Sequence, residues 1–268
     1  MNILILGSSG KIGSQLSKML KNKHKIFLVD RKNIKKRINK RFDLVINCLG
    51  PEIYKNSNDI KRIYNFYSKN IFRSNKFRWL EISTVSVYGI MENKNLDIFE
   101  KNKIINESQF SQYGIDKLNG ENILIKYAIS RNFKVNIYRF GIIIERDNIN
   151  EKIKSIFKKF VYFGIFFNFF ENKIKLKINF LDNIYKIINS DLVKYNDKSK
   201  ITTYFEEIDI SKNIKNIFKI ILSIKINIFL FDKILKILNI NFIIKMKLLF
   251  NNNISKKNKF ILSKTYTF

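Results

Sequence analysis

The stretch Ile3-Leu4-Ile5-Leu6-Gly7-Ser8-Ser9-Gly10-Lys11-Ile12-Gly13 constrains this chain more than any other. An apolar run ends in three evenly spaced glycines, and Ile12, Leu16, Met19 and Leu20 then recur at helical intervals. That order predicts a buried strand, a tight turn and an amphipathic helix. Glycines let the backbone turn sharply and approach a ligand closely, and the N-terminus of the following helix offers free N–H groups to a pyrophosphate. Gly7, Gly10, Lys11, Ile12 and Gly13 are therefore candidate contacts to a dinucleotide.

The chain then alternates. Lys25-Ile26-Phe27-Leu28-Val29-Asp30 reads as a second strand, with its terminal acid 17 residues after Gly13. A carboxylate there accepts hydrogen bonds from both adenine-ribose hydroxyls and repels a 2′-phosphate, so Asp30 predicts NAD over NADP. The neighbouring Arg31 and Lys32 leave NADP open. A basic segment, 32–41, precedes the apolar strand Asp43-Leu44-Val45-Ile46-Asn47-Cys48-Leu49-Gly50. The gap between Asp30 and Asp43 is too short for another strand and crossover helix, so one unit of the sheet is expected to be trimmed. A helix is predicted over 59–70, then a strand from Phe77 to Thr84. Strands alternating with helices imply a parallel sheet covered on both faces.

Composition adds less than its numbers suggest. Fifty-one Lys and Arg against 22 Asp and Glu give a formal net charge of +29. Such charge usually points to nucleic acid or an anionic membrane. Here Ala128 is the only alanine and Pro51 the only proline, while Ile, Lys, Asn and Phe abound. An A/T-rich coding bias accounts for the lysines, which are dispersed along the chain, so no nucleic-acid partner is expected. Cys48 is alone, which excludes a disulfide framework, and no Cys–His cluster suggests a metal. No signal peptide and no apolar run of about 18 residues is visible, so the chain is expected to be cytoplasmic, without an integral membrane segment.

Chemistry concentrates in two places. Ile82-Ser83-Thr84-Val85-Ser86-Val87-Tyr88-Gly89 ends a strand, at the edge where open α/β sheets hold ligands. Tyr113-Gly114-Ile115-Asp116-Lys117 opens a helix predicted to reach about Ser130, and its Tyr and Lys share one face. A free tyrosine has a pKa near 10, and a close ammonium favours its phenolate. In order, the glycine turn, Asp30, Ser83-Thr84-x-x-Val87-Tyr88-Gly89, Tyr113-x-x-x-Lys117 and Arg139-Phe140-Gly141 resemble the extended short-chain dehydrogenases, the NAD-dependent epimerase/dehydratase family. The resemblance continues through Leu118-Asn119-Gly120-Glu121 and, more thinly, Ile178-Asn179-Phe180-Leu181-Asp182-Asn183.

It implies a Rossmann-type doubly wound parallel sheet over 1–145 and a smaller, mainly helical substrate lobe over 146–268, with a late strand near 201–205 returning to the main sheet. It implies hydride transfer between a nicotinamide and a nucleotide sugar. Thr84 falls on the family's hydroxyl donor, Tyr113 on its acid/base, Lys117 on its ribose-binding lysine, and Leu49 where a strand end packs against the cofactor. Val85 and Ser86 replace the Asp-Glu pair of sugar dehydratases, which favours epimerisation or reduction. The alternative is a catalytically weak dinucleotide binder with a structural or regulatory role. The family also implies a homodimer through helices 59–70 and 113–130, the latter carrying Ile123, Leu124 and Tyr127. In the second half a helix is predicted over 151–170, another over 211–222 capped by Ser211, and apolar segments with lysines at 226–238 and 240–250.

Overall fold

The computed structural model describes residues 1–30, 42–50, 78–88, 112–157, 161–162, 165–168, 175–193, 199–218, 222–225 and 264–267. The basic segment 32–41, the helix expected over 59–70 and the segments 226–238 and 240–250 lie outside the described residues.

A seven-stranded sheet organises the chain. Strand β1 (Asn2–Leu6) pairs in parallel with β2 (Lys25–Val29) on one side and β3 (Leu44–Asn47) on the other. Next to β3 come β4 (Arg78–Thr84), then β5 (Lys134–Phe140), again parallel. Among the described residues β2 is the outer strand, as a trimmed unit after Asp30 requires.

Helix α1 (Lys11–Leu20) follows β1, and α2 (Gln112–Arg131) precedes β5. Asn132 ends α2 at φ 49, a left-handed cap conformation that asparagine tolerates, and Phe133 N–H reaches back to the Ala128 carbonyl at 3.1 Å. Side chains alternate across the strands as a pleated sheet demands. Leu4, Leu6, Val45, Trp79, Val135 and Ile137 face α2 with its Leu124 and Ala128. Ile3, Ile5, Leu44, Ile46, Leu80 and Ile82 face Leu16 and Leu20 of α1. Burying each such aliphatic side chain contributes about 1.5–3 kcal/mol. Leu124 is 0 % exposed, so it belongs to the core and offers nothing to a partner subunit.

At Gly141 the chain leaves the main sheet. Strand β6 (Ile142–Ile144) joins a separate sheet, and α3 (Ile149–Phe157) follows a short 3-10 turn. Where one helix is expected over 151–170, the helix ends at Phe157, and β7 (Val161–Tyr162) pairs antiparallel with β8 (Ile165–Asn168). Valine, isoleucine and aromatic residues fit a pleated surface better than a helix, and Gly164 between the two strands disfavours helix further. Strand β9 (Lys175–Phe180) lies beside β6 and leads directly into α4 (Leu181–Val193), whose Ile184 and Ile188 pack back onto the main sheet beside α1.

Strand β10 (Lys200–Tyr204) returns to the main sheet, parallel to β5, as expected for 201–205. Strand β11 (Glu206–Asp209) pairs antiparallel with β9. Helix α5 covers Ser211–Phe218, its Ser211 N–H donating to Asp209 Oδ1 at 3.0 Å. It stops short of Leu222, which opens β12 (Leu222–Lys225), parallel to β8. Finally β13 (Lys264–Thr267) adds an antiparallel strand beside β10. Where a mainly helical lobe is expected, its described part holds two three-stranded sheets beside α3 and α5. Ile144, Ile153, Phe157, Leu176, Ile178 and Ile214 form its core. Among the described residues no helix is long and apolar enough to cross a membrane.

Candidate active site

The glycine turn folds tightly against the strand ends. Gly7 has φ +76, a conformation side chains rarely adopt, and a Cβ there would stand 3.0 Å from the Cys48 carbonyl carbon and oxygen. Gly7 and Ser8 donate to the Val29 carbonyl at 2.8 and 3.1 Å, joining the turn to the end of β2, where Asp30 follows. A Cβ on Gly13 would run into the Gly7 carbonyl, standing 2.9 Å from its carbon. Gly10 precedes α1, and the helical ladder opens with Ser14 N–H on the Gly10 carbonyl. The N–H groups of Lys11, Ile12 and Gly13 therefore occupy the first turn, where a helix has no carbonyl of its own to offer them. An anionic group fits this cradle. The Ile12 side chain is packed inward beside the α1 core, so only its backbone is suited to a ligand.

Lys117 is drawn to the same edge. Its Nζ donates to the Ile82 carbonyl at 2.8 Å and the Leu49 carbonyl at 3.0 Å, bridging the ends of β4 and β3. Glu81 Oε1 stands 3.8 Å away, both side chains nearly inaccessible. Glu81 Oε2 accepts from Asn47 Nδ2 at 2.8 Å and Trp79 Nε1 at 2.9 Å, while Asn47 Oδ1 takes the Leu49 N–H at 3.1 Å. This buried network was not anticipated. Its signal was available: Asn47 and Glu81 are polar residues inside apolar strands, and they sit opposite each other in register. Beside them, burial pushes the Cys48 thiol up to about 12, with Lys117 pulling it down and Glu81 pushing it up. Cys48 therefore remains a thiol and supplies no nucleophile.

Tyr113 lies one helical turn before Lys117, 37 % exposed, and its hydroxyl has no hydrogen-bond partner among the described residues. Helix α2 packs on the 3-10 turn Val85–Tyr88 that follows Thr84. The Thr84 hydroxyl accepts the Ser86 N–H at 3.2 Å and lies 3.3 Å from Ser86 Oγ. Ser83 points the other way, donating to Glu121 Oε1. Glu121 also receives Arg139, with Nε 3.2 Å from both oxygens and Nη2 2.5 Å from Oε2. Glu121 shares the helical face of Tyr113 and Lys117, so this buried pair anchors the face to β5 and β4.

Lys11 Nζ meets Glu145 Oε1 at 3.2 Å, both side chains about half exposed. Such a pair adds little stability. In the lobe, Lys177 on β9 is buried, 5.3 Å from the Phe205 ring centroid and opposite Glu207 on β11. Burial pulls its ammonium down to about 8, against the upward pull of Glu207. A base whose folded pKa is depressed leaves the unfolded state binding the extra proton between the two values, so stability rises with pH across that window. Lys177→Met should therefore raise stability by about 3 kcal/mol below pH 8. The gain should shrink between pH 8 and 10.5. Urea unfolding across that range checks it; a constant difference sinks the argument.

The chain matches the model of the NAD dependent epimerase/dehydratase family over residues 3–144, just over half its length. The chain belongs to that family. All of the glycine turn, Asp30, Leu49, Thr84, Tyr113, Lys117 and Arg139 fall inside the matched region, and the lobe built after β6 falls outside it. Solved structures resemble this member in fold. The UDP-glucuronic acid 4-epimerase of Bacillus cereus, in complex with NAD, has a TM-score of 0.60 at 14% identity, over 85% of this chain and 88% of that one. A hypothetical dTDP-4-dehydrorhamnose reductase of Sulfolobus tokodaii has 0.55 at 18%, over 85% and 86%. The capsular polysaccharide assembling protein CapF of Staphylococcus aureus has 0.53 at 17%, and this chain, 82% covered, spans only 57% of it. No match is found among curated protein sequences.

Proposed function

We propose that this family member is an NAD-dependent epimerase or reductase of a nucleotide-linked sugar. The observation that supports the reading is that Lys117 Nζ reaches the Leu49 carbonyl, beside the Cys48–Leu49 backbone on which Gly7 packs. Gly7, Gly10 and Gly13, with the N–H groups of Lys11 and Ile12, would hold the pyrophosphate. Asp30 would take the adenine ribose, Leu49 would pack against the cofactor, and Lys117 would reach the second ribose. When bound, the dinucleotide supplies the hydride acceptor and donor. Tyr113 exchanges the proton on the sugar oxygen, and the Thr84 hydroxyl, already oriented by the Ser86 N–H, holds that oxygen. The fold relatives crystallised with NAD and acting on nucleotide sugars support this class of substrate.

Titration with NAD and NADP, followed by incubation of the loaded protein with UDP- and dTDP-linked hexoses, tests it. Tighter NAD binding and conversion of one sugar are expected. Binding without conversion favours the second reading, a dinucleotide binder without turnover, which the protein-held Lys117 ammonium would suit. No binding of either cofactor overturns both.

A homodimer is part of the proposal. Among the described residues the outer surface of α2 carries Ile129, 71 % exposed, in place of the buried Leu124. Solution scattering should give twice the chain mass at high concentration; a monomer mass removes this part.

A further inference from the structure

Glu81 is a carboxylate in the middle of a sheet face made by Trp79, Val45 and Ile137, and it is 3 % exposed. A buried charge is retained only where a counter-charge and hydrogen bonds compensate its lost hydration. Asn47 and Trp79 supply the hydrogen bonds on one oxygen, and Lys117 the counter-charge on the other side. The 3.8 Å separation from Lys117 is longer than a hydrogen bond. Glu81 thus offsets the ammonium without taking one of its three donors. Two of those donors are committed to the Ile82 and Leu49 carbonyls, which fix the nitrogen at the strand edge. Cys48 feels the same two charges in opposite senses, so their fields compete at this edge.

We propose that Glu81 is a positioning residue for Lys117 that sets the preference of the site for oxidised over reduced dinucleotide. This rests on the dinucleotide reading given above. The oxidised nicotinamide ring carries a positive charge and the reduced ring carries none, while the rest of the molecule is the same in both. An ammonium that would reach the ring's ribose, standing alone, would disfavour the charged ring. A carboxylate behind that ammonium cancels part of the penalty. The chain therefore holds the lysine where it can hydrogen-bond a ribose while keeping the site hospitable to the oxidised cofactor.

Glu81→Gln keeps the volume and retains an oxygen to accept from Asn47 or Trp79, but removes the charge. Equilibrium titration of wild type and variant with NAD+ and with NADH, at neutral pH and low salt, reads the ratio of the two dissociation constants. In Glu81→Gln the ratio of the NAD+ constant to the NADH constant should rise several-fold, on the order of tenfold, the scale of one charge acting through protein. Loosened structure weakens both forms alike and leaves the ratio where it was. Lys117→Met gives the opposite arm: with Glu81 unopposed, the ratio should fall, and Glu81→Gln combined with Lys117→Met, which strands no charge, should return it towards the wild-type value. An unchanged ratio in variants that bind both forms overturns the role of Glu81 and leaves the dinucleotide reading intact. Failure of the wild-type protein to bind either form overturns both.

Discussion

Tyr113→Phe is expected to lower turnover on a nucleotide-linked sugar by about 10²–10⁴-fold, the usual scale of general acid–base catalysis, with little change in NAD affinity. The substitution keeps the ring and removes the one group on this helix face able to exchange a proton with the substrate. Its neighbours have other engagements. Lys117 is held between two strand-end carbonyls, Glu121 is bound to Arg139 and Ser83, and Cys48 stays protonated. Tyr113, by contrast, is partly open to solvent, with its hydroxyl unengaged by the described residues. Since α2 is anchored from Lys117 onward, loss of one hydroxyl at its first turn should not disturb the glycine turn or the melting temperature. Steady-state kinetics with separate NAD titration checks the expectation. Undiminished turnover in Tyr113→Phe removes the residue from the chemistry.

Much of this arrangement was legible because local physics writes it locally. A strand fully buried in a parallel sheet reads as an apolar run, and Ile3-Leu4-Ile5-Leu6 could do little else. The three glycines read as a tight turn, and in the structure Gly13 packs against the Gly7 backbone. Helix α2, read from the Tyr113-x-x-x-Lys117 spacing, ends at Arg131, one residue beyond the expected Ser130. The trimmed unit after Asp30 followed from chain length alone.

What escaped reading depends on partners distant in sequence. Nothing local shows that Leu124 rather than Ile129 faces the sheet; α2 has apolar residues on several sides, and only the packed strands decide. Strand β13 is four residues long and takes its place by pairing with β10, more than fifty residues earlier in the chain. The hairpin of β7 and β8 competes with a helix on nearly equal apolar patterning, and pairing of β8 with β12 settles it. Lys117 was assigned to a ribose by resemblance, whereas its hold on Leu49 and Ile82 depends on two strand ends meeting under one helix.

The largest stability effect is expected at Arg139. Its side chain and that of Glu121 are 1 % and 0 % exposed, and the guanidinium lies across both carboxylate oxygens. Arg139→Met leaves that carboxylate buried with the Ser83 hydroxyl and no counter-charge, which costs about 3–5 kcal/mol. A typical domain is stable by only about 5–15 kcal/mol, so the variant should unfold at far lower urea or not fold at all. The cost lies in the stranded charge rather than in the loss of an attraction, because well-packed apolar replacements of a buried pair are often neutral. Glu121→Leu combined with Arg139→Met should therefore recover most of the loss. Glu121→Leu alone should also destabilise the protein, since it removes the carboxylate across which the guanidinium lies. Urea unfolding of the wild type, both single variants and the double variant gives the coupling energy directly. If the double variant is as unstable as the sum of the singles, the pair is two independent contacts. In that case Glu121 and Arg139 do not act together to seat α2, and with it Tyr113 and Lys117, on the sheet.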